Sequence, residues 1–106
     1  MYSYLITDYF EKELKRIIRK DPRIKENVKE SLRKFKKENS IYLGKSVYKI
    51  RLRRNNKGKS GGYRLFIMLM EIEKALVPIH IFSKTEKENI SQEEISEYLE
   101  IARRAL

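Results

Sequence analysis

The sequence contains no cysteine and no tryptophan, and it has a single histidine, His80. Without cysteine the protein can form neither a disulfide nor a thiolate site, so thiol catalysis is excluded. One histidine also leaves too few nitrogen ligands for a histidine-based metal site. We therefore expect no metal and no cofactor.

Long apolar runs are also lacking. No stretch approaches the roughly 20 apolar residues that a membrane-spanning helix needs. The first ten residues, MYSYLITDYF, include an early acid and lack the apolar run of a signal peptide. We expect a cytoplasmic protein with no membrane partner.

Positive charge is abundant, and it is unevenly placed. The 106 residues carry a formal net charge of +10. Residues 39–70, which we call the cation block, contain eight Lys or Arg and no Asp or Glu. Protein surfaces usually mix both signs. The block therefore indicates a polyanionic partner, whose phosphates would release counterions on binding.

The first third of the chain has the apolar pattern of two helices. A short strand is expected over Met1–Ile6, and Thr7 or Asp8 is expected to cap the first helix. Asp21 and Pro22 are typical of a restart, with Asp21 as N-cap and Pro22 at the first helical position. The two apolar stripes are expected to be core: Phe10, Leu14, Ile17 and Ile18, then Ile24, Val28, Leu32 and Phe35.

The rest of the chain is typical of strands followed by one helix. A polar connection is expected over Lys37–Lys45, and strands over Val47–Arg53, Tyr63–Met70 and Ala75–Ser83. Pro78 removes a ladder donor from the last strand and indicates an edge or a bulge.

A final helix is predicted from its capping box, Ser91-Gln92-Glu93-Glu94. Its apolar stripe is Ile95, Leu99, Ala102 and Leu106. The expected architecture is one α+β domain, residues 1–106, in the order β-α-α-β-β-β-α. A helical hairpin packs on a small, mostly antiparallel sheet with a C-terminal helix.

Alternation along the strands predicts one cationic face of the sheet. The residues expected on the helix side are Tyr48, Ile50, Leu52, Ile79 and Ile81. Those expected on the opposite face are Lys49, Arg51 and Arg53, joined in the simplest register by Arg64, His80, Phe82 and Lys84. Cations beside an aromatic ring are the mixture that grips phosphates and stacks bases.

Common enzyme motifs are missing: no GxSxG, P-loop, HExxH or dinucleotide fingerprint occurs. Gly58–Gly62 (GKSGG) lacks the Walker spacing and is interpreted as a hairpin loop. Carboxylates cluster in the last third of the chain, mostly on a helix's solvent side, so a two-carboxylate metal nuclease is poorly supported.

Two segments resemble the HigB-like RelE branch of the RelE/ParE toxin superfamily: GKSGGYR (Gly58–Arg64) and IFSKTEKENIS (Ile81–Ser91). The order of elements agrees over nearly the whole chain. The resemblance implies a type II toxin that enters the ribosomal A site and cleaves messenger RNA without a metal. It also implies three partners: a cognate antitoxin, the ribosome and messenger RNA.

The resemblance also implies site residues. Arg64 corresponds to a strand arginine that contacts the phosphate, Lys59 to a loop cation, and Lys84 and Lys87 lie in the segment that supplies the other catalytic cations. The residues expected to bind RNA are Lys49, Arg51, Arg53, Arg54, Lys57 and Phe82. Several RelE toxins have a tyrosine near the start of the last helix, where this chain has Ile90 and Ser91.

Two alternatives stay open beside the endoribonuclease. One is a ParE-like toxin that inhibits gyrase, and the other is an inactive RNA-binding relative. The loop cations and the segment SKTEKENIS favour the endoribonuclease, because an inhibitor that binds protein does not need a phosphate site. His80 is interpreted as a packed strand residue.

Overall fold

One mixed sheet organises the computed structural model, which describes residues 2–52, 62–87 and 89–106. Its strands are β1 (Ser3–Tyr4), β2 (Ile41–Gly44), β3 (Val47–Leu52), β4 (Tyr63–Met70) and β5 (Ala75–Ser83). Their order across the sheet is β1-β5-β4-β3-β2. β1 runs parallel to β5, and the other neighbours are antiparallel.

The helices are α1 (Asp8–Ile18), α2 (Ile24–Arg33) and α3 (Gln92–Ala105). Thr7 caps α1, as predicted, because its side chain accepts from the Phe10 amide at 3.1 Å. The predicted capping box of α3 is also present, with Ser91 and Glu94 bonding each other's backbone amides. The α+β prediction is confirmed.

The sheet is buried on both faces. On one face α1 and α2 supply their apolar stripes to a core that includes Leu52, Leu65 and Ile81. On the other face Ile95 and Leu99 of α3 pack in a second core. β4 contributes to both cores, as expected for a strand that is apolar on each side.

The predicted polar connection over residues 37–45 was wrong, because it contains a 3-10 turn (Lys37–Asn39) and β2. A two-residue loop, Lys45-Ser46, joins β2 to β3, since Gly44 pairs with Val47. Both loop residues have positive φ, 53° and 65°. Hairpin turns of type I′ require that conformation. The apolar run of β2 is too short to stand out in the sequence.

The predicted start of α2 was also wrong. The helix begins at Ile24, whose amide bonds to the Asp21 carbonyl at 3.1 Å, and Pro22 lies in the preceding turn. The Asp21 carboxylate instead accepts from the Tyr63 hydroxyl at 3.3 Å. A contact with β4, distant in sequence, therefore replaces the expected cap.

Pro78 marks a bulge, one of its two predicted roles. His80 pairs with Phe66 and Pro78 with Ile67, so Ile79 is the extra residue on β5. The bulge interrupts the alternation, and Ile79 lies in the same core as Phe82 instead of opposite it. The predicted side of Ile79 was therefore wrong, while Ile81 faces α1 and α2 as expected.

The end of α3 departs from its predicted stripe. Leu106 lies beyond the helix and is 54% exposed. The stripe therefore ends at Ala102, which is 2% exposed in the second core. The last three residues of α3, Arg103 to Ala105, are thus exposed.

We expect Leu99→Ala to destabilise the protein by about 2–5 kcal/mol, because it leaves a cavity between α3 and the sheet. Leu99 is 2% exposed, whereas Ile101 on the same helix is 38% exposed. Ile101→Ala is the matched control, with an expected change within about 0.5 kcal/mol. Denaturant unfolding measures both. Equal losses at the two positions would contradict the packing of α3.

Candidate nucleic-acid interface

A row of side chains crosses three strands at one end of the sheet. Arg64 near the start of β4 pairs with Arg51 of β3 on one side and with Phe82 of β5 on the other. Directly paired residues point to the same face, which is the face covered in part by α3. The register thus joins three of the predicted residues into one row, which we call the arginine row.

Among the described residues, no carboxylate neutralises the charge of the arginine row. In the described part of the chain, neither Arg51 nor Arg64 makes an ion pair, and Arg64 bonds only weakly to the Tyr63 carbonyl, at 3.4 Å. Like charges directly opposite each other destabilise a sheet. A bound phosphate would relieve that repulsion, and arginine offers it a bidentate fork.

The turn after β5 brings the next cations beside this row. The Lys84 amide donates to the Gly62 carbonyl at 3.0 Å, which holds Lys84 close to the start of β4. The Lys87 amide returns to the Ser83 carbonyl at 3.2 Å. Glu86 stabilises the same turn by accepting from the Ser83 amide at 3.2 Å. The Lys84 side chain is exposed.

Lys87 is positioned by the carboxylate of Glu94, which was not among the predicted site residues. Its ammonium forms an ion pair with Glu94, and the other oxygen of Glu94 accepts from the Ser91 amide at 2.9 Å. One side chain therefore caps α3 and orients a candidate cation. The capping box identified Glu94 in the sequence, but its second partner depends on the fold.

Phe82 is a core residue in this arrangement. It is 5% exposed, and its ring lies 5.2 Å from that of Phe66. The Lys87 ammonium lies 6.0 Å from the centre of the Phe82 ring. Phe82 therefore packs beneath the Lys87 side chain, and too little of its ring is exposed to stack on a base.

Five predicted residues remain to be placed. Lys49 pairs with Phe66, lies on the same face and is half-buried. Arg53, Arg54, Lys57 and Lys59 lie outside the described residues. The described part of the interface is therefore the arginine row with Lys49, Lys84 and Lys87.

An aromatic stack holds α3 against the sheet beside this interface. The His80 ring lies 3.9 Å from the Tyr98 ring with 10° between their planes. His80 Nδ1 is 3.2 Å from the Tyr9 hydroxyl. The interpretation of His80 as a packed residue agrees with its 9% exposure. Tyr9 is a partner that no local pattern indicated, because it lies 71 residues away in sequence.

Burial shifts the pKa values of the three side chains in this stack. It lowers the pKa of His80 below its usual 6.5, and Glu13 partly opposes this shift. Burial, with Glu13 nearby, raises the pKa of Tyr9 to about 12. The pKa of Tyr98 is also raised by burial. The three rings are therefore uncharged near neutral pH.

Over 2–52, 62–87 and 89–106, no group of three or more His, Cys, Asp or Glu side chains could hold a metal ion. Within those ranges no helix is long and apolar enough to cross a bilayer.

The fold and the site together define a small α+β protein with a cationic face. A family model described as RelE toxin of RelE / RelB toxin-antitoxin system matches residues 6–106. The chain therefore belongs to the RelE toxin family, which confirms the resemblance at the level of that family, while the HigB-like branch stays a prediction. Comparison with curated proteins and with solved structures found no match.

We expect the stack to make stability depend on pH. Because the folded pKa of His80 is depressed, its contribution is complete above about pH 6.5 and is lost as the pH falls. His80→Phe removes this titration, so below pH 6.5 its unfolding free energy should fall less steeply than that of the wild type. The difference in slope approaches at most about 1.4 kcal/mol per pH unit.

Denaturant unfolding between pH 5 and 8 measures these slopes. The groups that face His80 are Tyr9, Glu13 and Arg16 from α1, Glu86 and Lys87 from the turn, and Tyr98 from α3. These groups are the same in the wild type and in His80→Phe, so their contributions to the pH dependence of stability largely cancel when the two proteins are compared. Parallel curves would show that His80 does not titrate in this range.

Proposed function

We propose that this toxin inhibits translation by cleaving messenger RNA on the ribosome. The observation that carries the proposal is the arginine row, in which Arg51 and Arg64 face each other with no carboxylate partner among residues 2–52, 62–87 and 89–106. Family membership supports a toxin that acts with an antitoxin. The acid-free cation block supports a nucleic acid as the target.

The proposed reaction is attack of a 2′-hydroxyl oxygen on the adjacent phosphorus, with the hydroxyl proton lost to water. The bond from phosphorus to the 5′-oxygen breaks, and a 2′,3′-cyclic phosphate is left. The phosphorane formed on the way carries more negative charge than the diester. Arg64 and Arg51 grip its non-bridging oxygens, and Lys84 and Lys87 add positive charge at its edge. Such groups accelerate the reaction because they bind the transition state better than the ground state.

Lys87 has a second role in this proposal. Its ammonium donates a proton to the departing 5′-oxygen, and Glu94 orients it. Lysine suits the role because it is a movable donor, whereas the guanidinium of arginine does not give up its proton. Lys59 completes the set of catalytic cations by its place in the family motif. Arg53, Arg54 and Lys57 extend the RNA path as further proposals.

The ribosome supplies what the toxin lacks. In the described part of the chain, the Arg51 side chain of the arginine row is exposed and the Arg64 side chain is half-buried. Splaying a messenger for in-line attack requires groups on several sides of the nucleotide. A messenger held in a ribosomal site is already constrained, so the toxin contributes mainly charge.

We expect expression of the free toxin to depress protein synthesis before DNA synthesis. Pulse labelling with an amino acid and with thymidine, sampled over the first minutes after induction, measures the order. Early loss of DNA synthesis with translation intact would instead support a ParE-like inhibitor of gyrase.

We expect Arg64→Ala to lower messenger cleavage on programmed ribosomes by about 10²–10³-fold. Stability should not fall, because the substitution removes one of two facing like charges. Arg103→Ala is the matched control, since Arg103 is an exposed arginine on α3. Loss of the folding transition in Arg64→Ala would make this arginine structural.

The same cleavage assay tests the all-cation mechanism against a carboxylate mechanism. Glu86→Gln and Glu71→Gln are expected to retain activity within a few-fold, because neither side chain contacts the arginine row. A loss of about 10³-fold at either position would equal removal of a key catalytic group. That result would show that a carboxylate carries the chemistry.

A further inference from the structure

A small pocket opens at the same end of the sheet as the arginine row, but on the opposite face. It has a volume of about 140 Å³ and lies between the end of α1, the start of β4 and the turn after β5. Pockets for drug-sized ligands measure about 300–1,000 Å³, so this one has room for a single ring system. Its lining residues are Arg16, Ile17, Lys20, Tyr63, Ser83, Thr85 and Glu86.

The floor of the pocket is apolar, and the turn after β5 gives it a polar wall. Ile17 and Tyr63 close the floor, because they are 6% and 3% exposed. The hydroxyl oxygens of Ser83 and Thr85 lie 2.6 Å apart in the wall. Glu86 is exposed there, and one of its oxygens accepts from the Ser83 amide at 3.2 Å. This wall therefore offers hydroxyls and a carboxylate to a ligand.

The end of α1 supplies the cations of the pocket. Arg16 and Lys20 are both exposed and lie four residues apart, which is about one helical turn. Arg16 donates to Glu13 at 2.9 Å, but a guanidinium has five N–H donors and most of them remain for a ligand. The hydrogen bond to Glu13 raises the pKa of Arg16, and the charge of Glu86 adds to this effect. A guanidinium and a carboxylate thus lie near each other across the pocket.

The pocket and the arginine row are separated by one layer of sheet. Tyr63 pairs with Ser83 beside the pocket, and the next pair, Arg64 with Phe82, points to the other face. Packed sheets are about 10 Å apart, so a side-chain layer on each face places the two sites roughly 10 Å from each other. Stacked nucleotides of one strand rise about 3.4 Å each, so about three nucleotides cover that distance. Exposed Lys84 follows Ser83 at the end of the sheet that such a strand crosses.

We propose that this pocket binds a guanine base of the messenger, within about three nucleotides of the cleaved bond. The inference rests on the proposed RNA cleavage and adds a base-selective site to it. Arg16 donates to guanine O6 and N7, which is the commonest specific contact of a protein with a base. Glu86 accepts from the N1–H and N2–H groups. Proteins that recognise single-stranded RNA bind the edges of splayed bases in this way.

Other occupants fit this pocket less well. A phosphate would meet the carboxylate of Glu86 in the lining and that of Glu13 beside it, whereas no carboxylate among the described residues opposes the arginine row. Adenine would turn its N6 amino group toward the guanidinium of Arg16 when its N7 accepts from that side chain. A helix of a protein partner is about 10 Å across and too wide for the volume. Guanine places acceptors against the cations and donors against the carboxylate.

The test is cleavage on ribosomes programmed with messengers that are randomised over the A-site codon and its flanking nucleotides. Sequencing of the cut ends gives the base frequency at each position. The wild type is expected to prefer guanine about 10-fold at one position, and Arg16→Ala to reduce this preference to within about 2-fold. Messengers without guanine there are expected to be cut at a rate within about 2-fold of the wild type, because Arg16 is remote from the arginine row.

The matched control is Arg19→Ala, since Arg19 is an exposed arginine at the end of the same helix and outside the pocket lining. It is expected to keep the wild-type preference. Arg16→Lys retains the charge but not the fork, so most of the preference is expected to be lost. Thr85→Val is an independent variant on the other wall, with an expected loss of about 3-fold. A guanine preference that survives Arg16→Ala, or a preference for another base at that position, would overturn the proposal.

A binding measurement separates this proposal from RNA cleavage itself. Guanosine, adenosine and cytidine 5′-monophosphates are titrated into the isolated toxin, and the amide signals of Ser83 and Thr85 are followed by NMR. The guanine nucleotide is expected to shift them with a Kd of about 1–10 mM, roughly 10-fold tighter than the other two. Guanine-selective binding without cleavage would keep the pocket and reject the proposed function. Equal shifts with all three nucleotides would show recognition of phosphate alone and overturn the pocket, even where cleavage is intact.

Discussion

The burial of β4 on both faces is the constraint on which the rest of the structure depends. A strand that is apolar on each side needs a helical layer above and below, and a chain of this length supplies α1 with α2 on one face and α3 on the other. Two thin layers cannot cover the whole sheet. The start of β4 and its neighbours on β3 remain open on the α3 side, and Arg64 lies there.

Two like charges lie opposite each other at this end of the sheet, which lowers the stability of the fold. Arg51 and Arg64 face each other across β3 and β4, and no carboxylate in the described ranges relieves them. Fold stability alone would favour an acid at one of these positions. The sequence supplies none between residues 39 and 70. The protein thus keeps a locally unfavourable arrangement of like charges, as proteins do at functional sites. The phosphate contact proposed above would relieve it.

The two faces of the sheet present different side chains. The α3 face places cations over a packed aromatic layer, and Glu94 connects the start of α3 with Lys87. The face covered by α1 and α2 has an apolar groove, where the exposed side chains of Tyr4 and Ile6 lie near Lys25 and Lys29. The two surfaces therefore differ in chemistry and lie on opposite sides of the sheet.

The sequence by itself determined the helices apart from the start of α2, the two-sided strand β4 and the family, because each has a local signature in periodicity, capping or motif. Pro78 indicated an edge or a bulge without deciding between them. The sequence also determined that Lys49 and Arg51 share a face, since alternation within one strand depends only on neighbours in the chain. Tertiary structure alone decided the register that sets Arg51 opposite Arg64, the side of Ile79 and the partner of Asp21. These depend on contacts between distant residues, and a single shifted residue in a strand changes every one of them.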